Sequence, residues 1–165
     1  MILNSILKNN AKEFADVVAL TMKMGFRKIN LTYKQVYELA QKIALMLEQE
    51  GLKKSDKVII IAPNSPYWVC TFWACILKGI IAVPLNTQST EEMVKKIADQ
   101  TGAKVIFASK FFKLKFPENL KVYFIEHITD EVENIDISNF SSVAKAMEDR
   151  ADIKEDDLVQ ILYTS

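Results

Sequence analysis

Hydrophobic and polar residues follow two different rhythms along this chain, one typical of helices and one typical of buried strands. Between Thr32 and Gly51 the apolar residues recur every three or four positions and form one stripe, made by Val36, Leu39, Ala40, Ile43 and Leu47. Residues 57–62 are instead apolar at almost every position and rich in β-branched side chains. That second pattern is typical of a parallel strand that is buried on both faces.

Capping residues indicate where three of the predicted helices begin. Thr32 and Gln35 have the spacing of a capping box, in which each side chain bonds the backbone N–H of the other residue. Ser65 followed by Pro66 is a helix start with a serine cap and proline in the first turn. Residues 89–92 have the spacing of a second capping box. A glycine follows each helix and predicts its end: Gly51, Gly79 and Gly102.

Short apolar runs between these helices predict strands. Buried strands are expected to start at Lys57, Ile80, Lys104 and Leu120, and a last one covers Leu158–Tyr163. The remaining predictions are a helix over 2–14, strands over 17–20 and 26–31, a loop over 129–142 and a short helix over 142–147. Strands alternate with helices through short connections, which predicts an α/β fold with a mainly parallel sheet flanked by helices. The pairing of the last strand stays open.

Composition excludes several classes of protein. The length of 165 residues suits one domain, and a hydrophobic content of 50% excludes a disordered chain. Basic and acidic residues number 21 each, so the basic excess of nucleic-acid or anionic-membrane proteins is missing. The uncharged run 58–77 is long enough to cross a membrane, but the turn signal at 63–66 divides it into a strand and a helix. We expect no nucleic-acid partner, no transmembrane segment and no signal peptide.

Residues that ligate metals or act as nucleophiles are sparse. Cys70 and Cys75 are five positions apart, about 140° around a helix, so they face different directions. They are interpreted as buried thiols of a protein in the reducing cytosol. The single histidine, His127, has no cysteine near it in the sequence. Neither a catalytic triad nor a metal site is therefore predicted.

Four stretches of the chain carry recognisable motifs. They are Leu-Thr-Tyr at 31–33 with the segment that leads into a strand at 51–58, Pro-Asn-Ser-Pro at 63–66, Gly-Ile-Ile-Ala-Val-Pro-Leu-Asn at 79–86, and the acidic segment and strand at 156–165. Taken in order, these stretches resemble the adenylate-forming enzymes, which include acyl-CoA synthetases, peptide-synthetase adenylation domains and firefly-type luciferases. Ser55 departs from the family, which usually has glycine at that turn, whereas Asn86 favours the acyl-CoA synthetases.

The resemblance implies a fold, a reaction and its cofactors. The fold is the first part of the large N-terminal domain of the acyl-CoA synthetase-like enzymes. In the reaction, a carboxylate attacks ATP with Mg²⁺ to give an acyl adenylate, and coenzyme A then takes the acyl group as a thioester. Thr164 and Ser165 match the first two positions of the family's phosphate-binding loop, Tyr-Thr-Ser-Gly-Thr-Thr-Gly-x-Pro-Lys. Residues 1–165 are interpreted as one α/β domain or subdomain truncated at the start of that loop.

This interpretation implies that the chain has no catalytic or metal-ligating residue of its own and is inactive alone. ATP, Mg²⁺ and CoA are expected for the full-length family member, with no tight binding to this chain. The implied substrate is a carboxylic acid, first of all a fatty acid. Two alternatives stay open: an adenylation enzyme for a different acid or acceptor, and a non-catalytic α/β interaction module. Uncovered apolar surface near the last strand also predicts self-association.

Several further residues have both a structural and a ligand-binding interpretation, and the structural one is favoured in each case. A basic and aromatic stretch over 110–116 is interpreted as a solvated loop with anchoring rings. The other structural interpretations are core packing for Trp68, Phe72 and Trp73, a helix cap for Asn64 and Ser65, and a turn for Asp156 and Asp157.

Overall fold

The structure is a computed structural model and describes residues 3–138 and 153–163. In the described residues a helix and a hairpin come first, helices and strands then alternate, and the last two strands follow each other without a helix between them; one short 3-10 turn covers Ile125–His127. In chain order the elements are α1 (Leu3–Glu13), β1 (Val18–Met24), β2 (Arg27–Thr32), α2 (Tyr33–Gln49), β3 (Lys57–Ile61), α3 (Pro66–Lys78), β4 (Ile81–Pro84), α4 (Glu91–Thr101), β5 (Val105–Ala108), β6 (Lys121–Phe124) and α5 (Ile128–Glu131).

The main sheet contains four strands in the order β4-β3-β5-β6, and every neighbouring pair is parallel. These are the strands that the sequence predicts near Lys57, Ile80, Lys104 and Leu120. Helices α3 and α4 provide the crossover connections on either side of β4. The predicted α/β class, with a mainly parallel sheet flanked by helices, is confirmed.

Strands β3, β4 and β5 are buried on both faces, which explains why they are apolar at consecutive positions. In β3 the side chains of Val58 and Ile60 join the core formed with α1, α2 and α3, while Ile59 and Ile61 join the core formed with α4. All four side chains are fully buried. Successive side chains of β3 therefore pack alternately into two separate hydrophobic cores.

Strands β1 and β2 form a separate antiparallel hairpin. The sequence places the first of these strands at 17–20, whereas the structure extends it to Met24. Gly25 and Phe26 connect the two strands, and Gly25 has a φ of +59°. A two-residue turn with glycine at its first position matches the twist of a hairpin, so β1 continues until that turn.

Two of the three predicted helix starts are confirmed and the third is wrong by one residue. Thr32 and Gln35 form the reciprocal capping box, and the Oγ of Ser65 accepts the Trp68 N–H. For α4 the sequence places the cap at Ser89, but the Oγ1 of Thr90 accepts the Met93 N–H at 3.3 Å. Two neighbouring hydroxyl residues both have capping propensity, and their order does not decide between them.

The predicted strand Leu158–Tyr163 is also wrong as a strand. In the described residues this segment makes one isolated parallel bridge, between Gln160 and Ala82, and no ladder. Leu158 and Leu162 are more than half exposed. The segment is therefore apolar in sequence, but it is not buried on both faces as a central strand would be. Part of the predicted loop 129–142 forms α5, and the predicted helix 142–147 lies outside the described residues.

Ser55 adopts a backbone conformation that favours glycine. Its φ is +67°, and its N–H donates a hydrogen bond of 2.8 Å to the Gly79 carbonyl. A left-handed backbone conformation destabilises a residue with a side chain by roughly 1–2 kcal/mol. Glycine avoids this strain, but it loses more conformational entropy on folding, which offsets roughly 0.5–1 kcal/mol of the gain. We therefore expect Ser55→Gly to raise the free energy of unfolding by about 0.5–1 kcal/mol in urea denaturation.

Gly102→Ala is the matched control for this prediction. Gly102 has a similar φ of +64°, and a Cβ there would meet no atom within 4 Å. The control should lose about 1 kcal/mol through backbone conformation alone. Unfolding curves in which Ser55→Gly is neutral or destabilising would contradict the prediction.

Candidate functional site

The carboxyl edge of the main sheet is the place where a parallel fold positions a ligand. Strands β3, β4 and β5 all end there because they run in the same direction. The segment 158–163 runs parallel to β4 beside it: the Ala82 N–H donates to the Val159 carbonyl and the Ile161 N–H donates to the Ala82 carbonyl, both at 2.9 Å. The chain therefore heads toward this edge as it approaches Thr164 and Ser165. Those two residues lie outside the described residues.

A turn at the opposite end fixes the path of this segment. The Oδ2 of Asp157 accepts the Lys154 N–H at 2.6 Å and lies 2.6 Å from the Lys54 Nζ. The hydrogen bond from Lys54, followed by that from the Lys154 backbone, lowers the pKa of Asp157. The turn role predicted for this aspartate agrees with these contacts.

A second ion pair ties the starts of two neighbouring strands together. The Oδ2 of Asp56 accepts the Lys53 N–H at 2.8 Å and lies 3.1 Å from the Lys104 Nζ. Partial burial acts to raise the pKa of Asp56, but the hydrogen bonds from Lys53 and Lys104 outweigh it, so the pKa is lowered. Asp56 lies in the segment before β3 that carries one of the four motifs, and its contacts hold that segment in place.

Polar residues after β3 and β4 make local contacts at the carboxyl edge. Ser65 caps α3 through its bond of 3.1 Å from the Trp68 N–H. Asn86, which follows β4, accepts the Gln88 N–H at 2.9 Å and closes a turn. The capping interpretation of Ser65 is confirmed.

The residues after β5 and β6 form a polar cluster that sequence reasoning did not find. The Oγ of Ser109 donates to Glu126 Oε1 at 2.5 Å, and the Lys110 N–H donates to Glu126 Oε2 at 2.9 Å. The Lys110 Nζ lies 3.0 Å from His127 Nε2. Adjacent parallel strands end side by side, so the register of β5 and β6 is the signal that brings these residues together. Both Glu126 oxygens are engaged, and the cluster holds two loops.

Nucleophiles and metal ligands are not assembled in the part of the chain that the structure describes. Cys70 and Cys75 are both fully buried, and burial raises the pKa of each thiol to about 12. Residues 3–138 and 153–163 contain no group of three or more His, Cys, Asp or Glu side chains that could hold a metal ion. Among the helices of the described residues, none combines the length and the hydrophobicity that a membrane span requires.

The aromatic residues of α3 pack against the core that α1, α2 and α3 share with the sheet. Trp68 and Phe72 stack with their ring centroids 5.5 Å apart, and Trp73 is partly buried against the same core. These contacts agree with the core interpretation of all three rings. In the basic stretch at 110–116, Phe112 and Phe116 pack against the α4-side core, while Phe111 is 69% exposed. Two of the three rings therefore anchor the loop as expected.

Comparison with known proteins decides the family. A family model described as "AMP-binding enzyme" matches residues 7–165. The chain belongs to this family. The resemblance carried by the four motifs is thereby confirmed.

Curated relatives of this AMP-binding chain are CoA ligases. "Long-chain-fatty-acid--CoA ligase FadD13" of Mycobacterium tuberculosis is 35% identical over 78 residues, which cover 47% of this chain and 16% of that protein. "4-coumarate:CoA ligase 1" of Petunia hybrida is 30% identical over 171 residues, which cover 99% of this chain and 30% of that protein. The chain thus spans less than a third of the length of either relative.

A solved structure of similar fold is an artificially fused adenylation and carrier-protein di-domain, NpsA-ThdA, from Klebsiella oxytoca. It matches with a TM-score of 0.75 and 21% identity, over 99% of this chain and 28% of that one. This likeness concerns the fold alone. It agrees with the predicted placement of these residues in the N-terminal part of an adenylate-forming fold.

Proposed function

We propose that this chain forms the N-terminal part of an ATP-dependent acyl-CoA synthetase. In this proposal the whole enzyme joins a carboxylic acid to ATP as an acyl adenylate, releases pyrophosphate, and passes the acyl group to coenzyme A. Thr164 and Ser165 begin the loop that holds the ATP phosphates. Family membership supports the reaction class, and the relatives' names support coenzyme A as the acceptor.

The path of the segment 158–163 is the observation that carries the proposal. It runs beside β4 toward the edge at which parallel strands end, and two backbone hydrogen bonds to Ala82 fix its direction. A phosphate loop needs such a position because its backbone N–H groups must point into a crevice free of side chains. The ion pair between Lys54 and Asp157 holds the start of the same segment against the domain.

The residues described here contribute support to that loop. The turn at Asp157 positions the segment, the cores on both sides of β3 hold the sheet rigid, and Glu126 joins the loops after β5 and β6. Mg²⁺ and ATP would meet the Thr164 and Ser165 end of the chain, where hydroxyl and backbone N–H groups suit a polyphosphate. When bound, the metal neutralises charge that develops on the phosphates.

We propose a fatty acid as the first substrate class and a hydroxycinnamic acid as the second. Curated relatives are named for acids of both classes, and others are named for oxalate and 2-succinylbenzoate. Asn86 supports an acyl-CoA synthetase over a peptide-synthetase domain, and its side chain holds the turn that follows β4.

Acid-dependent exchange of pyrophosphate into ATP tests the reaction. We expect the complete product of the gene to catalyse this exchange with a fatty acid and then to form a CoA thioester, and we expect the 165-residue chain alone to do neither. The reason is that residues 1–165 do not include the loop's glycines and lysine. If the adenylate forms but its acyl group is not transferred to CoA, the acceptor is a molecule other than coenzyme A.

Three results of the exchange assay would contradict or change the proposal. Exchange catalysed by the 165-residue chain itself would show that the adenylation site lies within it. Exchange that depends on a hydroxycinnamic acid and not on a fatty acid would keep the reaction and change the substrate class. No exchange with any acid by the complete gene product would favour the non-catalytic module.

A further inference from the structure

The tip of the β1-β2 hairpin combines an exposed aromatic ring with a concentration of positive charge. Phe26 is fully exposed and is the second residue of the two-residue turn. From Val17 to Tyr37 the chain carries Lys23, Arg27, Lys28 and Lys34 and no acidic residue, although the whole chain is neutral. The hairpin is therefore a local basic surface on a protein without net charge.

Two of these cations lie directly opposite each other in the hairpin. Lys23 pairs with Lys28 in the antiparallel register, on the face that also carries the hydrogen bond from Thr21 to Asn30. Like charges at opposed positions of a hairpin destabilise it. Within the described parts of the chain, neither lysine forms an ion pair. An anion outside the domain would remove this repulsion.

The base of the hairpin is held firmly while the tip extends into solvent. Leu20 and Leu31, on the face opposite the two lysines, pack against the core shared by α1, α2 and α3. The Tyr33 N–H also donates to the Val17 carbonyl at 3.0 Å. The turn places Phe26 at the apex, where no neighbouring strand can cover its ring. Its exposure is a consequence of the hairpin's geometry.

We propose that this hairpin tip docks on an anionic lipid bilayer, with Phe26 inserted among the headgroups and Lys23, Arg27 and Lys28 on the lipid phosphates. An aromatic ring suits the boundary between headgroups and acyl chains, and flanking cations reach the phosphates above it. The fully exposed ring at the apex favours a bilayer over duplex DNA, which proteins contact mainly through hydrogen bonds and charges.

The expected binding to the bilayer is reversible, and it depends on both the aromatic ring and the cations of the tip. Each cation near an anionic bilayer contributes roughly a fivefold gain in partitioning, so the three together contribute about a hundredfold. Burial of the phenyl ring adds about tenfold. Salt should weaken the attachment because these cations are exposed and screened.

Cosedimentation of the 165-residue chain with lipid vesicles tests the proposal. We expect binding to phosphatidylcholine vesicles that contain phosphatidylserine and much weaker binding to phosphatidylcholine alone. Phe26→Ala should lower the partition coefficient about tenfold. The combined change Lys23→Gln, Arg27→Gln and Lys28→Gln should lower it about a hundredfold. Circular dichroism checks that each variant is folded.

Phe111→Ala is the matched control. Phe111 is also an exposed ring in a basic stretch, with the Lys110 Nζ 5.4 Å from its centroid, but it lies in the loop after β5. Its removal should leave vesicle binding unchanged. As a second readout, Phe26→Trp should shift its fluorescence to shorter wavelength on anionic vesicles, and Phe111→Trp should not.

Three outcomes would overturn the inference. These are equal binding to neutral and anionic vesicles, equal losses for Phe26→Ala and Phe111→Ala, and loss of binding with the cation variant but not with Phe26→Ala. The last result, together with binding to duplex DNA that only the cations support, would assign the tip to nucleic acid instead.

Discussion

Replacing Phe107 by alanine should lower the free energy of unfolding by about 3–5 kcal/mol. Phe107 is fully buried in β5, in the core that the sheet shares with α1, α2 and α3. Its ring stacks on Tyr123 of β6 with the centroids 5.7 Å apart. Removal of the ring loses its transfer free energy and leaves a cavity in the core beside Tyr123. Urea denaturation at constant pH measures the change.

Phe111→Ala is the control for that measurement because it removes the same side chain from a residue that is 69% exposed. Its effect should stay within about 0.5 kcal/mol. A loss for Phe107→Ala below about 1 kcal/mol would contradict the described core, since a buried phenylalanine rarely costs so little.

Replacing Lys78 by methionine should lower the free energy of unfolding by about 2 kcal/mol, because it removes an ion pair between α2 and α3. The Lys78 Nζ lies 2.9 Å from Glu48 Oε2, and the two side chains are only 10% and 30% exposed. Taking the cation away from a carboxylate that is largely shielded from water leaves an unbalanced charge. The partial exposure of Glu48 keeps the expected cost below that of a fully buried pair.

A double-mutant cycle isolates the coupling in this pair. Lys78→Met combined with Glu48→Gln should lower the free energy of unfolding by less than the sum of the two single changes. The double variant has no charge at either position, so no charge is left without its partner. Lys34→Met is the exposed control: its partner Glu38 lies 3.9 Å away, and the two side chains are 61% and 42% exposed. That control should change stability by less than about 0.5 kcal/mol. Additive costs at Lys78 and Glu48 would contradict the coupling.

The fold was predictable where burial and capping act locally. The run at 57–62 has the pattern of a strand buried on both faces, and short apolar runs also predict the other three strands of the sheet. Thr32 and Ser65 are caps because each hydroxyl oxygen accepts a hydrogen bond from the backbone N–H three residues later. Ser89 and Thr90 have the same chemistry, so the sequence alone could not choose between them.

The errors arise where the outcome depends on contacts distant in sequence. The segment 158–163 has the apolar pattern of a strand, but one bridge at Ala82 is all its pairing in the described residues. The cluster around Glu126 needs the register of β5 and β6, which hydrophobic pattern does not specify. The role of Thr164 and Ser165 rests on the family resemblance and stays a prediction.

Titration calorimetry with Mg-ATP tests the central claim that Thr164 and Ser165 begin the phosphate loop of an acyl-CoA synthetase. The three samples are the 165-residue chain, the complete product of the gene, and that product carrying Thr164→Val and Ser165→Ala. We predict binding by the complete product, at least about tenfold weaker binding by its double variant, and no binding by the 165-residue chain. Equal affinity for the double variant and its parent, or tight binding by the 165-residue chain, would contradict the account.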